Sequence, residues 1–190
     1  EIKNDGFKVQ EKIFSALDGY NNFTTTKSLG VLLQSLVDVI QRVNPTWIIL
    51  AGDRGETMVA AIASAYTSTP LAHIQAGELS GLIDGQARHA IGKFANLHFA
   101  SNLDAAKRLA KLGEEKFRIK LVGAPQIDDL KSKKYNYNNI SKLEKKYNLD
   151  LKKKFILSVF HPPQERIESI KSTLKTLFDF YKKTSIKIGR

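Results

Sequence analysis

The feature that most constrains the fold is a repeated alternation between short, mainly apolar runs and segments with helical spacing of apolar residues. The runs at 47–51, 70–74 and 97–100 have the length of β-strands, and each is followed by a turn and then by a predicted helix. Runs of this kind are typical of strands that are buried on both faces of a parallel sheet. The alternation therefore predicts an α/β protein with a parallel, doubly wound sheet.

Further elements extend this alternation along the chain. A helix is predicted over 28–43, where apolar residues recur at helical spacing, and Asn44 and Pro45 are expected to end it. Ser101 is the predicted N-cap of the helix after the third run. The remaining predicted elements are helices at 56–63, 86–94 and 101–113 and a strand at 117–122.

The chain is predicted to contain one nearly complete domain and part of another. Residues 1–130 form the first, Rossmann-like domain with its start missing, and 131–153 form a basic linker. Residues 154–190 begin a second Rossmann-like domain, with a strand at 155–160 and a helix whose apolar stripe runs over 167–181. One strand and one helix do not close a core by themselves, so the second domain is expected to be truncated.

Composition excludes several classes of protein. The chain has no cysteine, which excludes a disulfide framework, a thiolate metal site and a cysteine nucleophile. It has no apolar run near the roughly 20 residues that a membrane span needs, and residues 1–5 do not resemble a signal peptide. We therefore expect a cytoplasmic protein that does not associate with membranes.

The net charge of +11 favours an anionic partner, either nucleic acid or a phosphorylated small molecule. Much of this charge lies between Lys131 and Lys154, where lysines alternate with asparagines and tyrosines and a short helix is predicted at 140–147. Such a segment is more typical of a solvated surface than of a nucleic-acid groove. The expected partner is therefore a phosphorylated small molecule and not nucleic acid, although a non-catalytic anion-binding module remains an alternative.

Polar residues follow the predicted strands, where ligands bind in open parallel sheets. Asp53 and Arg54 follow the first strand, Gln75 to Glu78 follow the second, and His161 follows the first strand of the second domain. The helix that begins near Gly55 suits a phosphate, with Arg54 able to bind two of its oxygens. A turn with a local ion pair is the alternative at this position.

Three carboxylates are expected to gather at the same edge of the sheet: Asp53, Glu78 and Asp84. Desolvation there would raise a carboxyl pKa toward the range that is useful for proton transfer. Arg88 and His89, about one helical turn after Asp84, are expected to face the same cleft. The alternative is that Glu78 and Asp84 only cap turns or helices, Asp84 with Gly85 as a turn pair.

Two histidines and several missing motifs limit the chemistry further. His73 and His98 lie within predicted strands and are interpreted as hydrogen-bonded core histidines. The sequence has no metal-ligand spacing, no Gly-x-Gly-x-x-Gly fingerprint and no Walker loop. No metal and no nucleotide cofactor is therefore expected.

A family resemblance covers nearly the whole chain. The motifs that carry it are Gly52-Asp53-Arg54-Gly55-Glu56, His73-Ile74-Gln75-Ala76-Gly77-Glu78-Leu79-Ser80-Gly81, Ile83-Asp84, Arg88-His89-Ala90-Ile91-Gly92-Lys93, Leu97-His98-Phe99, Val122-Gly123-Ala124-Pro125 and His161-Pro162. With these motifs in this order, the chain resembles the hydrolysing UDP-N-acetylglucosamine 2-epimerases, which supply precursors of sialic-acid-type sugars.

The resemblance implies a fold and a reaction. The fold is the glycosyltransferase B type, with a UDP-sugar in the cleft between two Rossmann-like domains. The resemblance also implies that the reaction needs neither NAD nor a metal and that the protein forms a homo-oligomer (dimer or tetramer). The reaction eliminates UDP and then adds water, which releases the free 2-epimer of the sugar. A non-hydrolysing 2-epimerase of the same architecture is the alternative, and its product is an intact UDP-sugar.

The resemblance also implies roles for individual residues. Asp53 and Asp84 are the catalytic carboxylates, with Glu78 as a third acid. Arg54 and His161 contact the diphosphate, and Arg88 and His89 orient the sugar or the carboxylates.

The chain departs from the family pattern at two points. Gln75 occupies a position where some members have a catalytic glutamate, and it is counted here as a substrate-binding residue. Either the remaining acids suffice for catalysis, or this copy is slow or inactive. The family's opening Gly-Thr-Arg-x-Glu-type loop and its closing nucleotide-binding loops do not occur in the sequence. The isolated polypeptide is therefore expected not to turn over, whereas the complete gene product is expected to do so.

Overall fold

The structure is a computed structural model that describes residues 2–17, 21–132, 137–148, 150, 153, 159 and 167–183. The chain divides into two compact units, Glu1–Ser132 and Lys133–Arg190. In the described part of the chain, no helix is long and apolar enough to cross a bilayer.

The first unit is an α/β domain whose elements alternate as the sequence predicts. In chain order they are α1 Asn22–Val43, β1 Ile48–Ala51, α2 Gly55–Tyr66, β2 Leu71–Ile74, α3 Leu82–Phe94, β3 Leu97–Ala100, α4 Leu103–Lys111, the 3₁₀ turn Lys116–Arg118, β4 Ile119–Leu121 and α5 Pro125–Ser132. The strands form one sheet in the order β1-β2-β3-β4, and every neighbouring pair is parallel. The predicted α/β class with a parallel sheet is confirmed.

Two groups of buried residues hold the helices on the sheet. In one, Ala61 of α2 and Ile91 of α3 pack with Leu71 of β2. In the other, Leu109 of α4 packs with Ala76 and with Ala100 of β3. The small alanines let the helices lie close to the strands, which fixes where the loops at the strand ends begin.

The ends of α1 show how local sequence sets the helix boundaries. Asn21 caps its N-terminus by accepting a hydrogen bond from the Thr24 N–H, and Thr24 bonds back to the Asn21 backbone. This capping box starts the helix earlier than the predicted residue 28. Asn44 adopts a left-handed conformation (φ 48°) and ends it as predicted, directly before Pro45.

Two further boundaries differ from prediction, and one helix was not predicted. Helix α3 begins at Leu82, so Asp84 and Gly85 lie in its first turn and do not form a loop turn pair. The N-cap of α4 is Asn102 rather than Ser101, because the Asn102 side chain accepts the Ala105 N–H at 2.8 Å. A helix that sequence reasoning missed, α5, starts at Pro125, a residue favoured at the first helical position.

The second unit contains helices α6, Tyr137–Tyr147, and α7, Ile167–Lys183. Four residues of the predicted apolar stripe are half-buried, namely Ile170, Leu174, Leu177 and Tyr181, whereas Phe178, also predicted in the stripe, is exposed. The strand predicted at 155–160 falls outside the described residues apart from Val159.

Candidate active site

The candidate site begins at the turn that follows β1. Gly52 has φ +88°, a conformation that favours glycine, and Asp53 comes next. The carbonyl oxygen of Gly52 lies 2.8 Å from Nε2 of the buried His73 on the neighbouring strand β2. The turn therefore presents Asp53 at the carboxyl end of the sheet.

Arg88 of α3 is the centre of the site. Its side chain is only 8% exposed, and Nη2 donates a hydrogen bond to Oδ2 of Asp53 at 2.5 Å. Nη1 donates to the carbonyl oxygen of Gln75 at 2.6 Å. The arginine thus ties the turn after β1 to the loop after β2, and the pairing with Asp53 offsets the cost of burying its charge.

Ser80 completes the contact between these two side chains. Its hydroxyl donates to Oδ2 of Asp53 at 2.5 Å, and Nε and Nη2 of Arg88 donate to its oxygen at 3.3 and 3.0 Å. We name Asp53, Ser80 and Arg88 the carboxylate clamp. No role was predicted for Ser80 from the sequence. The position of its hydroxyl, between Glu78 and the start of a predicted helix, could have indicated one.

The clamp sets the charge state of Asp53. Partial burial by itself would raise the pKa of this carboxyl, but the hydrogen bonds from Ser80 and Arg88 and the positive charge of Arg88 together outweigh it. The net effect lowers the pKa of Asp53 below its ordinary value of 3.8, so the expected rise was wrong for this carboxyl. Asp53 is therefore a carboxylate at neutral pH.

Glu78 lies beside the clamp. Ser101 donates a hydrogen bond to Oε1 of Glu78, and Nη1 of Arg88 lies 3.8 Å from Oε2. Of the three carboxylates expected to gather at one edge of the sheet, Asp53 and Glu78 both lie beside Arg88. Asp84 is exposed and forms no hydrogen bond or ion pair with them in the described part of the chain. The link to Ser101, which follows β3, means that three successive strand ends contribute to the arrangement.

The loop that carries Gln75 and Glu78 is held from both sides. Gln75 has φ +59°, uncommon for a residue with a side chain, and its carbonyl faces Arg88. Gly77 has φ +76°, and Nη1 of Arg108 on α4 donates to its carbonyl at 2.5 Å. A Cβ at Gly77 would lie 2.5 Å from the Ala105 carbonyl oxygen, so only glycine fits.

The remaining predicted site residues lie outside the clamp. Arg54, the N-cap of α2, has a side chain that is 81% exposed and an ion pair with Glu56 at 3.7 Å. Asp84 is exposed in the first turn of α3 and forms no hydrogen bond or ion pair within the described ranges. His89 is half-buried, and its Nδ1 has no hydrogen-bond partner among those residues. His161 lies outside the described residues.

Both strand histidines are fully buried, as predicted. The predicted hydrogen bond is present for His73, whereas neither ring nitrogen of His98 has a hydrogen-bond partner among the described residues. Burial, the largest cause, lowers the pKa of His73 to about 4, so the ring is neutral at physiological pH. Burial also lowers the pKa of His98, although Glu114, whose Oε2 lies 3.2 Å from Nε2, acts in the opposite direction.

This arrangement places several carboxylates where they could take part in proton transfer. It provides one fixed carboxylate, a second carboxylate held by a serine, and an exposed acid one helical turn before Arg88. Within the described part of the chain, no group of three or more acidic or histidine side chains is placed to hold a metal ion.

Comparison with known proteins places the chain among sugar-nucleotide enzymes. A family profile described as UDP-N-acetylglucosamine 2-epimerase matches residues 1–188. The chain is 31% identical over 188 residues to UDP-N,N'-diacetylbacillosamine 2-epimerase (hydrolyzing) of Legionella pneumophila, covering 99% of the chain and 49% of the relative. It is 32% identical over 178 residues to GDP/UDP-N,N'-diacetylbacillosamine 2-epimerase (hydrolyzing) of Campylobacter jejuni, covering 93% and 46%.

A solved structure has a similar fold. The chain matches the S. aureus MnaA-UDP co-structure with a TM-score of 0.74 and 25% identity, over 95% of the chain and 48% of that structure. This likeness agrees with the fold class predicted from the sequence. The chain spans about half the length of the curated relatives it matches.

Proposed function

Because the chain belongs to the UDP-N-acetylglucosamine 2-epimerase family, we propose that it carries the carboxylate part of the active site of a hydrolysing 2-epimerase. The substrate is UDP-N-acetylglucosamine or a diacetamido-trideoxy analogue, and the products are UDP and the free 2-epimeric sugar. The observation that carries the proposal is the buried ion pair of Asp53 and Arg88, 2.5 Å apart at the carboxyl end of a parallel sheet.

The proposed reaction has two steps. In the first, a base removes the proton from C2 of the sugar while the C1–O bond breaks, and its electron pair leaves with UDP. The glycal that forms has a C1–C2 double bond. In the second, water adds its hydroxyl to C1 and a proton reaches C2 on the opposite face, which inverts that centre. Both steps need groups that exchange protons, and the first also needs cations near the diphosphate.

The clamp suggests how the acids divide these roles. Asp53 is held ionised by Arg88 and Ser80, so it can accept a proton or act as a fixed negative charge, but its lowered pKa makes it a weaker base than an unpaired carboxylate. Asp84 is exposed and lies one helical turn before Arg88, and we assign it the proton exchange with the opposite face. Glu78, bound by Ser101, is the third carboxylate.

Arg88 acts on the carboxylates and not on the sugar. Its Nε, Nη1 and Nη2 make four hydrogen bonds to protein atoms, so most of its five N–H donors are engaged before a substrate arrives. Gln75 supplies one of these acceptors through its carbonyl. In the proposal, Gln75 and His89 are left to contact the substrate.

The diphosphate is assigned to the start of α2. Arg54 is exposed there, beside the free backbone N–H groups of the first helical turn, and a helix N-terminus favours anions. His161 is the second proposed diphosphate contact.

A hydrolysing reaction is favoured by two relatives that carry this term in their names and match nearly the whole chain. The family description names a 2-epimerase and does not specify hydrolysis, so a non-hydrolysing 2-epimerase is the second candidate. The product distinguishes the candidates: free sugar with UDP, or an intact UDP-sugar. A homo-oligomer, dimer or tetramer, also belongs to the proposal and is checked by light scattering.

The test supplies the full-length gene product with UDP-N-acetylglucosamine and with its diacetamido analogue. UDP release is followed, and the sugar product is identified by mass and NMR. Asp53→Asn and Asp84→Asn should each lower kcat by about 100-fold or more, as loss of a proton-transfer group does. Asp128→Asn, which changes an exposed acid in the first turn of α5, is the matched control and should leave kcat unchanged. Full activity of both active-site variants would contradict the proposal.

A further inference from the structure

His73 occupies an unusual place for a polar side chain. It lies on β2, between Leu50 of β1 and His98 of β3 in the register of the sheet, and it is fully buried. Nε2 is 2.8 Å from the carbonyl oxygen of Gly52. Because a carbonyl oxygen only accepts hydrogen bonds, Nε2 must carry the proton, which fixes the tautomer of the ring.

The other ring nitrogen has no such contact. Nδ1 of His73 is buried and has no hydrogen-bond partner among the residues that the structure describes. Burial, the largest cause, and the charges of Arg88 and His98 lower the pKa of the ring, against the Gly52 carbonyl and Asp53, which raise it. An orphaned buried nitrogen is unfavourable, and an apolar residue at this position would avoid it. The useful property of the ring is therefore its bond to Gly52.

That bond acts on the turn that presents Asp53. Gly52 has φ +88°, and within the described residues a Cβ there would meet no atom within 4 Å, so space does not hold the turn in place. The Gly52 N–H reaches the Ile74 carbonyl only at 3.4 Å. The shorter contact from His73 is the better-formed of the two.

We propose that His73 is a positioning residue, which holds the Gly52 carbonyl so that the next side chain, Asp53, meets Arg88 and Ser80 in the carboxylate clamp. It acts through the backbone and does not touch the substrate. Its effect on turnover rests on the proposed function, whereas its effect on Asp53 does not.

The test compares His73→Leu, which removes the donor, with His73→Gln, whose side-chain amide nitrogen replaces Nε2. The matched control is His98→Leu, because His98 is a fully buried neighbour of His73 in the sheet register. Carbon-13 NMR of the 190-residue chain follows the titration of Asp53, and nitrogen-15 NMR reports the tautomer of His73. Turnover is measured with the full-length gene product.

The expected results separate the variants. His73→Leu should move the titration of Asp53 upward and lower kcat by about 10- to 100-fold with little change in KM, as misplacement of a reacting group does. His73→Gln should recover most of the wild-type titration of Asp53 and most of the wild-type kcat. His98→Leu should leave the titration of Asp53 as in the wild type. The ring of wild-type His73 should be protonated at Nε2.

Three results would overturn the proposal: an unchanged Asp53 titration in His73→Leu, a glutamine variant that behaves like the leucine variant, or a proton on Nδ1. If His73→Leu does not fold, the tautomer and the glutamine variant still decide the question. If the wild type releases no UDP, the proposed function fails, but the two NMR measurements on Asp53 and His73 remain decisive for the positioning role.

Discussion

Replacing Arg88 by methionine should destabilise the protein strongly. The change removes the charge that Asp53 faces but keeps most of the volume of a side chain that is 8% exposed. Removing one partner of a buried ion pair costs about 3–5 kcal/mol, because the other charge is left uncompensated. Asp53 is 18% exposed and keeps its bond from Ser80, so we expect the lower end, about 3 kcal/mol in the free energy of unfolding.

The interaction between the two residues is measured by a double-mutant cycle. Asp53→Asn in the Arg88→Met background should cost less than it does in the wild type, with a coupling energy of about 2 kcal/mol. The folded-state pKa of Asp53 is lowered, so its contribution is present above its ordinary value of 3.8 and is lost as pH falls below that value. The coupling should therefore shrink in acid.

Urea unfolding gives these free energies. Trp47, the single tryptophan, lies directly before β1 and reports by fluorescence, with circular dichroism as a second probe. Arg42→Met is the control, because Arg42 forms an exposed ion pair with Glu11 at 3.6 Å and should cost no more than about 1 kcal/mol. A cost for Arg88→Met as small as that of the control, or a coupling near zero at pH 7, would refute the reasoning.

Two further predictions concern stability. The buried ring of His73 is neutral down to about pH 4, whereas the ring in the unfolded chain takes up a proton below 6.5. The free energy of unfolding should therefore fall by about 3 kcal/mol as the pH falls over this range. Urea titrations should show a smaller fall for His73→Gln, and equal pH profiles of the two proteins would contradict this. Gly77→Ala should lower the free energy of unfolding by at least about 2 kcal/mol, because its Cβ meets the Ala105 carbonyl at 2.5 Å. The control is Gly123→Ala, since Gly123 has a similar φ of +88° but a Cβ there would meet no atom within 4 Å in the described chain. It should lower the free energy of unfolding by only about 1 kcal/mol. Equal losses of the two variants in thermal melts would argue against the packing explanation.

Most of the first unit could be predicted because its elements have local signals. The apolar runs before Asp53, Gln75 and Ser101 give the strands directly. The start of α3 was missed because Gly85 resembles a turn residue, whereas the Gly85 N–H bonds the Gly81 carbonyl at 3.4 Å and begins the helix. Asp-Gly is a common turn pair, so residue type alone did not show that Gly85 continues a helix.

The candidate site was predicted only in part. The sheet rule brings Asp53 and Glu78 to one edge, and the family resemblance added Arg88. The burial of Arg88 and its bonds to Asp53 and to Ser80 depend on how α3 packs, which residue spacing does not reveal. For the same reason, the contact of His73 with the turn at Gly52 could not be predicted, although its burial was.

The Asp53–Arg88 pair joins positions 35 residues apart, and α2, β2 and the start of α3 lie between them. Neighbouring parallel strands must bring their crossover helix into place before they pair, so contacts across several elements close late in folding. Interactions that are absent from the transition state change the unfolding rate and leave the refolding rate nearly constant. We therefore expect Arg88→Met to speed unfolding of the native domain and to leave its refolding rate nearly unchanged.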